Sequence, residues 1–266
     1  MMTLDQVKNK SSARMIGLHP VVLDATTVLI ERCYTRGVPI LITQGLRTIA
    51  EQDALYAQGR TKPGAVVTNA RGGYSYHNFG LAVDFALLLP NGSSVSWDMR
   101  LDGNNNQIAD WQEVVKEAKA LGFEWGGDWT SFKDYPHFQM VFGLTLTQLR
   151  TGIKPSEIAM AKATAVIDRL KEEVNEDMSK IEELEQVIAK QDGRIAALEK
   201  RLNISGKETY AKDYEKEILA AKDAGIITSS AEKSKLELNV ITMLVNAGLA
   251  NKALISFFKN FKADVK

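Results

Sequence analysis

Cysteine is what this chain has least of. Cys33 is its single copy, so no disulfide can form within the chain, and a buried, inert thiol in a reducing compartment is the expected state. Net charge is missing too. The 33 Lys and Arg residues cancel the 33 Asp and Glu residues, which excludes a protein drawn to nucleic acid or anionic lipid by bulk charge. No apolar run approaches the roughly 18 residues of a membrane-spanning helix. Neither a nucleic-acid partner nor membrane insertion is therefore expected. The opening stretch MMTLDQVKNKSSARM has no apolar signal core, so export through a signal peptide is not expected and the protein is placed in the cytoplasm where it is made.

What is present is unevenly spread. Residues 1–150 hold 15 of the 20 aromatic residues, 14 of the 19 glycines and all three histidines. Residues 151–266 hold 19 basic and 19 acidic residues but a single proline, Pro155. The first part reads as a mixed α/β domain rich in turns, the second as nearly all helix. The boundary falls at RTGIKPS, where a Gly/Pro break precedes Ser156, a candidate N-cap. The remainder divides into a linker and coiled-coil helix over 151–204 and a small helical module over 205–266.

Within 1–150, apolar residues at helical spacing predict a helix over Val21–Arg36, and β-branched Pro39–Thr43 predicts a strand. Thr48–Gln58 and Trp111–Leu121 read as helices closed by Gly59 and Gly122. Gly80–Leu89 reads as a buried strand ended by the Pro90-Asn91-Gly92 turn, and His137–Phe142 as a last short strand. Helices, strands and long loops in this order suggest an α+β domain with an antiparallel sheet.

Chemistry concentrates at His77, Asp84 and His137. Asp84 lies inside the apolar strand LAVDFALLL, and a lone buried carboxylate costs several kcal/mol unless it is paired or bound to a cation. Two imidazoles and one carboxylate are a sensible ligand set for a catalytic zinc ion, which keeps its fourth position for water. A salt bridge from Asp84 to Arg47 or Arg71, with His77 and His137 in structural hydrogen bonds, is the alternative. Asp134, three residues before His137, is close enough in the chain to take a proton from an attacking water and return it to a leaving amine.

The string Ser75-Tyr76-His77-Asn78-Phe79-Gly80-Leu81-Ala82-Val83-Asp84 resembles the SxHxxGxAxD motif of the VanY-like group of zinc D,D-carboxypeptidases and L-alanyl-D-glutamate endopeptidases. Gly122-Phe123-Glu124-Trp125-Gly126-Gly127-Asp128-Trp129, followed by Asp134-Tyr135-Pro136-His137-Phe138, is similar to the GFxWGGDW…DxPHF segment of the endopeptidase branch. Gln44-Gly45-Leu46-Arg47-Thr48 and Gln52–Arg60 resemble that branch as well, so the likeness spans about residues 4–145. It implies the α+β fold of the D-Ala-D-Ala-peptidase/Hedgehog type, zinc held by His77, Asp84 and His137, and Asp134 as catalytic base. It also implies that Arg47 holds and polarises the substrate carbonyl. Ser75 either contacts substrate or serves as a turn hydroxyl. An aspartate base fits the endopeptidase branch, whose substrate is the peptidoglycan stem peptide cut between L-Ala and D-Glu. With no signal peptide, the expectation is a phage or prophage endolysin kept in the host bacterial cytoplasm until a separate pore releases it to the wall. A D,D-carboxypeptidase, a host wall-remodelling peptidase and a non-catalytic wall-binding protein are the rivals.

Other features have blander expectations. His19 precedes a helix and reads as structural; Trp125, Trp129 and Phe132 default to the core. Asp102-Gly103-Asn104-Asn105-Asn106 through Asp110 and Glu113 places oxygen side chains at calcium-loop positions, but Gln107 stands where that loop needs glycine. From Met160 a seven-residue repeat runs through Ile167, Val174, Ile181, Ile188, Ile195 and Leu202 at one seam position, and through Leu170, Asp177, Leu184, Gln191 and Leu198 at the other. This predicts a parallel coiled-coil homodimer or higher homo-oligomer over residues 160–203, against a single long helix folded onto the final segment. After Asn203-Ile204-Ser205-Gly206, the run Tyr214–Leu249 resembles one surface-layer-homology-type unit, a cell-wall-binding module; a generic oligomerisation or docking cap is the alternative.

Overall fold

The computed structural model describes residues 2–202, 214–225, 227 and 235–248. The chain forms two compact units, Met1–Lys180 and Ile181–Lys266, so their boundary falls inside one long helix.

The first unit begins with helix α1 (Leu4–Met15), absent from the sequence expectation because its residues LDQVKNKSSARM are mostly polar. Thr3 and Gln6 close a reciprocal capping box at its start. Ser11 on its buried side accepts the N–H of Ile42 at 3.0 Å, which ties α1 to the outermost strand of the sheet and covers that edge. Helix α2 (Pro20–Thr35) starts with proline at its first turn and buries Val22, Ala25, Val28 and Leu29 of the face expected from spacing, while Leu23, expected with them, is exposed. Strand β1 (Ile40–Gln44) and helix α3 (Ile49–Ala57) follow, the latter capped by Thr48 and Glu51.

Strand β2 (Ala82–Leu88) pairs with β1 on one side, and on the other with β3 (Val95–Ser96) and β5 (His137–Gln139); β4 (Glu124–Trp125) pairs with β5. Every pairing is antiparallel, which bears out the α+β expectation. Strand β5 stops at Gln139, three residues short of the expected end. A bulge between Ile42 and Gln44 interrupts the β1–β2 register directly opposite Phe85 and Asp84. Helix α4 (Asp110–Ala120) packs Trp111, Val114 and Ala118 into the core, where Phe85 and Phe138 stack at 4.9 Å.

Helix α5 (Leu146–Arg150) leads to α6 (Glu157–Leu202), whose first turn is capped as expected by Ser156 Oγ on the Ala159 N–H. The core of the first unit does not end at residue 150. Ile167 and Leu170 of α6 belong to it, and a buried ion cluster holds them there. Arg32 Nε meets Glu117 at 2.6 Å and Arg36 Nε meets the other Glu117 oxygen at 3.0 Å. Arg32 also reaches Glu173 at 3.1 Å and donates to the Leu170 carbonyl at 3.2 Å, so α2, α4 and α6 share one network.

In the second unit, helices α7 (Glu215–Asp223) and α8 (Lys235–Asn246) meet through Ile218, Ala221, Leu238 and Ile241, with the Tyr214 hydroxyl donating to Asn239 at 2.8 Å. The expected break at Asn203–Gly206 and Leu249, the end of the run that resembles a wall-binding unit, lie outside the described residues.

Removing one partner from a buried ion pair strands the other charge, at a cost of about 3–5 kcal/mol. Glu117→Ala should lower the stability of the first unit by that amount, read as a fall in the urea midpoint by circular dichroism. A loss under about 0.5 kcal/mol, the size of an ordinary surface change, would show that the network does not fasten α6.

Candidate metal centre

Antiparallel register sets Asp84 of β2 directly opposite His137 of β5. His77 arrives from the 3-10 turn Tyr76–Phe79 shortly before β2; Ser75 Oγ caps it by accepting the His77 N–H at 3.3 Å. The turn closes on Gly80 at φ +66, where a side chain would also meet the Gly17 carbonyl at 2.6 Å. Only glycine suits both demands.

These backbone arrangements bring three donor atoms together. His77 Nε2 and Asp84 Oδ1 are 3.2 Å apart, His137 Nδ1 and Asp84 Oδ1 3.2 Å, and the two imidazole nitrogens 3.1 Å. The outward ring nitrogens decide the tautomers. His77 Nδ1 lies 2.8 Å from the Gly45 carbonyl and so must donate to it. His137 Nε2 lies 3.1 Å from Gln139 Oε1, and the Gln139 amide is oriented by Nε2 donating to Glu124 at 2.9 Å, since a carboxylate can only accept. With both imidazoles neutral, the inward atoms are two nitrogen lone pairs and an anionic oxygen, mutually repulsive unless a proton or a metal ion lies among them. Zinc about 2.0–2.1 Å from tetrahedrally placed ligands requires donor separations near ~3.3 Å, close to those observed. Among the described residues this is the one group of His, Cys, Asp or Glu ligands spaced for a metal ion. The residues fit the ion the sequence implies.

Charge follows the same logic. Burial works against ionisation of Asp84, but the two imidazoles outweigh it and hold the carboxyl well below the usual carboxylate range. Burial also pulls His137 down, yet its bond to Asp84 and the nearby charges of Asp84 and Asp134 leave it above the ordinary imidazole value. Asp134 is shifted upward, first by burial and then by the Asp84 charge. That direction moves a carboxylate toward the range useful to a general base.

The expected site residues converge. Arg47, Ser75, His77, Asp84, Asp134 and His137 all line one cavity of about 680 Å³. Both readings of Asp84 hold in part: Oδ1 faces the imidazoles, while Arg47 Nη2 reaches Oδ2 at 3.4 Å. Arg71 instead lies over the Tyr56 ring. Arg47 is braced by Gln52 Oε1 at 2.9 Å, and its buried Nε has no protein partner. Asp134 is positioned by its own N–H donating to the Gly126 carbonyl at 3.2 Å; a side chain at Gly126 would collide with the Asp134 carbonyl.

Some defaults need correction. Trp129 and Phe132 line the cavity rather than the core, with Trp129 tilted against His137 at 5.2 Å. Trp125 does pack on the core, its indole N–H donating to the Tyr135 carbonyl. His19 is structural as expected: its N–H donates to Gly80 and its ring meets Phe142. In the calcium-like loop, the Asp102 carboxylate is taken by the N–H groups of Asn106 and Gln107. Cys33 is buried, which pushes its thiol pKa up and leaves it inert. Sequence reading missed Gln139, Glu124 and Gln52. Gln139 had a visible signal, since it lies two residues beyond His137 on the same face of a strand.

Residues 68–140 match the D-alanyl-D-alanine carboxypeptidase family of peptidases. The chain is 56% identical over 124 residues to the peptidoglycan L-alanyl-D-glutamate endopeptidase CwlK of Bacillus subtilis, a stretch covering 47% of this chain and 74% of that enzyme. It is 34% identical over 115 residues to the L-alanyl-D-glutamate peptidase of Listeria phage A118, covering 43% of this chain but only 35% of the phage protein. The crystal structure of the Serratia marcescens L-Ala D-Glu endopeptidase ChiX is similar at 29% identity and a TM-score of 0.35, over 50% of this chain and 87% of that one.

Outer-shell partners of metal-binding imidazoles are worth about 10–100-fold in affinity. Gln139→Leu frees His137 to take the wrong tautomer and should weaken zinc binding by that factor in a chelator competition, with the sheet intact by circular dichroism. Unchanged affinity would mean that Gln139 does not set the ring.

Proposed function

This chain belongs to the VanY-like metallopeptidase family, and from that membership we propose that it is a peptidoglycan endopeptidase cutting the L-Ala–D-Glu bond of the stem peptide. It is a metallopeptidase; the bond cleaved, the identity of the ion and the biological role are the proposal. One observation carries it: the inward atoms of His77, Asp84 and His137 form a cation site with Asp134 lining the same cavity. The B. subtilis and phage relatives are both named for L-alanyl-D-glutamate cleavage.

His77, Asp84 and His137 would hold zinc, which when bound lowers the pKa of water and polarises a carbonyl. Asp134, kept basic enough by burial and by Asp84, takes the proton of the attacking water on its carboxylate and delivers it to the departing amine nitrogen. Arg47 lines the same cavity with its guanidinium plane fixed by Gln52 and Asp84, and stabilises the oxygen that gains negative charge. Trp129 and Phe132 form apolar walls that screen these charges from water. Ser75 acts first as the cap that places His77, whatever its contact with substrate.

The phage relative supports a lytic role, in which the enzyme collects in the host cytoplasm until a pore releases it. The B. subtilis relative favours a second reading, wall remodelling by a bacterium's own enzyme. On either, residues 205–266 serve as a wall-binding module that raises enzyme concentration at its polymeric substrate.

Asp134→Asn should retain zinc and lose turnover by about 10²–10⁴-fold, whereas His77→Ala should lose both. Mass spectrometry of digested peptidoglycan should show new D-Glu amino termini. Released D-Ala would identify a carboxypeptidase instead, and full activity in the Asn variant would remove Asp134 as base. A chain ending at Lys180 keeps the buried part of α6 and should keep zinc and activity on soluble peptide while losing lysis of whole cells. Undiminished wall binding by that truncation would rule out the targeting role.

A further inference from the structure

Helix α6 treats its two halves differently. The early seam residues Ile167, Leu170 and Val174 are 2%, 4% and 3% exposed. The later ones, Leu184, Ile188, Ile195 and Leu198, are 61%, 58%, 51% and 50% exposed, with Val187 beside them at 53%. One heptad phase therefore runs through a helix whose first apolar stripe is satisfied within the chain and whose second is not.

The flanking charges change at the same place. Beside the buried stretch, Lys171 follows the Leu170 seam position and Glu173 precedes the Val174 position, where Glu173 pairs with Arg32. Beyond residue 180 the signs reverse. Lys180 and Arg194 stand immediately before the Ile181 and Ile195 seam positions, while Glu185 and Asp192 stand immediately after Leu184 and Gln191. The repeat continues in sequence with Glu199 and Arg201, whose side chains lie outside those described.

We propose that residues 181–202 are the homodimerisation site of this chain and that its occupant is the same segment of a second copy, parallel and in register. In that arrangement each residue before a first seam position faces the residue after the next second seam position of its partner copy. Lys180 then faces Glu185, and the sequence repeats this base-to-acid spacing at Arg194 and Glu199. An antiparallel pair would set base against base and acid against acid. Isoleucine at the first seam position with leucine at the second favours two strands. Gln191, the one polar seam residue of this stretch, finds its amide partner only when identical positions meet. Each surface pair is worth little alone, so the charges choose orientation while Leu184, Ile188, Ile195 and Leu198 supply the attraction. Gly193 is exposed with nothing within 4 Å, on the outer face where a dimer leaves it untouched. The proposal is independent of the catalytic reading.

Sedimentation of the full chain should give the mass of two copies. Gln191→Cys should form an interchain disulfide on mild oxidation, and Cys33 does not compete because it is buried. A chain carrying Lys180→Glu and Arg194→Glu should self-associate at least about tenfold more weakly, and a chain carrying Glu185→Lys and Glu199→Lys should restore pairing with it. A monomeric wild type overturns the proposal. A dimer in which the Gln191→Cys variant fails to cross-link and the charge reversals have no effect overturns the parallel register. Because zinc content and peptidase activity are measured on the same preparations, failure of the dimer is distinguishable from failure of the catalytic reading.

Discussion

The site depends on an ionised carboxylate set in an apolar strand with two neutral imidazoles aimed at it. Burial penalises the Asp84 charge, so the carboxylate stays ionised only with positive charge among the inward atoms, either a proton on an imidazole or a metal ion. While neutral, the imidazoles cannot turn hydrogens inward, because Gly45 and Gln139 claim the hydrogens on their outer nitrogens. That added proton or metal ion satisfies all three. Glu124 fixes Gln139, Gln139 fixes His137, and the pairing of β2 with β5 fixes Asp84 against both.

Around that centre, rigid and adaptable parts divide the work. Two of the three residues that could hold a metal ion stand on paired strands at the middle of the sheet, and the third on a capped turn locked by a glycine. The other residues named in the cavity come from loops: Arg47 after β1, Asp134 before β5, and Trp129 and Phe132 beyond β4. Ligand placement to within a few tenths of an ångström needs a scaffold that does not yield, whereas a peptide substrate is accommodated by segments free to differ in sequence.

Much of this was legible in the sequence, for identifiable reasons. An acid inside LAVDFALLL calls for a counter-charge, but the residues alone leave a cation and an arginine partner both open, and it is the likeness to the VanY-like group that implies the metal. Apolar periodicity gave α2, α4 and β2 nearly to the residue. Helix α1 escaped because its stability comes from a capping box and from covering the β1 edge, neither of which produces an apolar stripe. The partners of the imidazoles escaped because Glu124 lies on a two-residue strand and meets Gln139 only through sheet pairing. The heptad repeat was plain, but periodicity alone could not separate its buried start from its exposed continuation. That distinction came from Arg32 and Glu117, far earlier in the chain than the helix turns they hold.

The indole of Trp129 leaning on His137 gives the molecule a built-in optical gauge. Emission from that ring is sensitive to whether the neighbouring imidazole carries an extra proton or a bound ion. A change of state at the centre should therefore alter the intrinsic fluorescence, and Trp129→Phe separates that signal from the emission of the other three tryptophans.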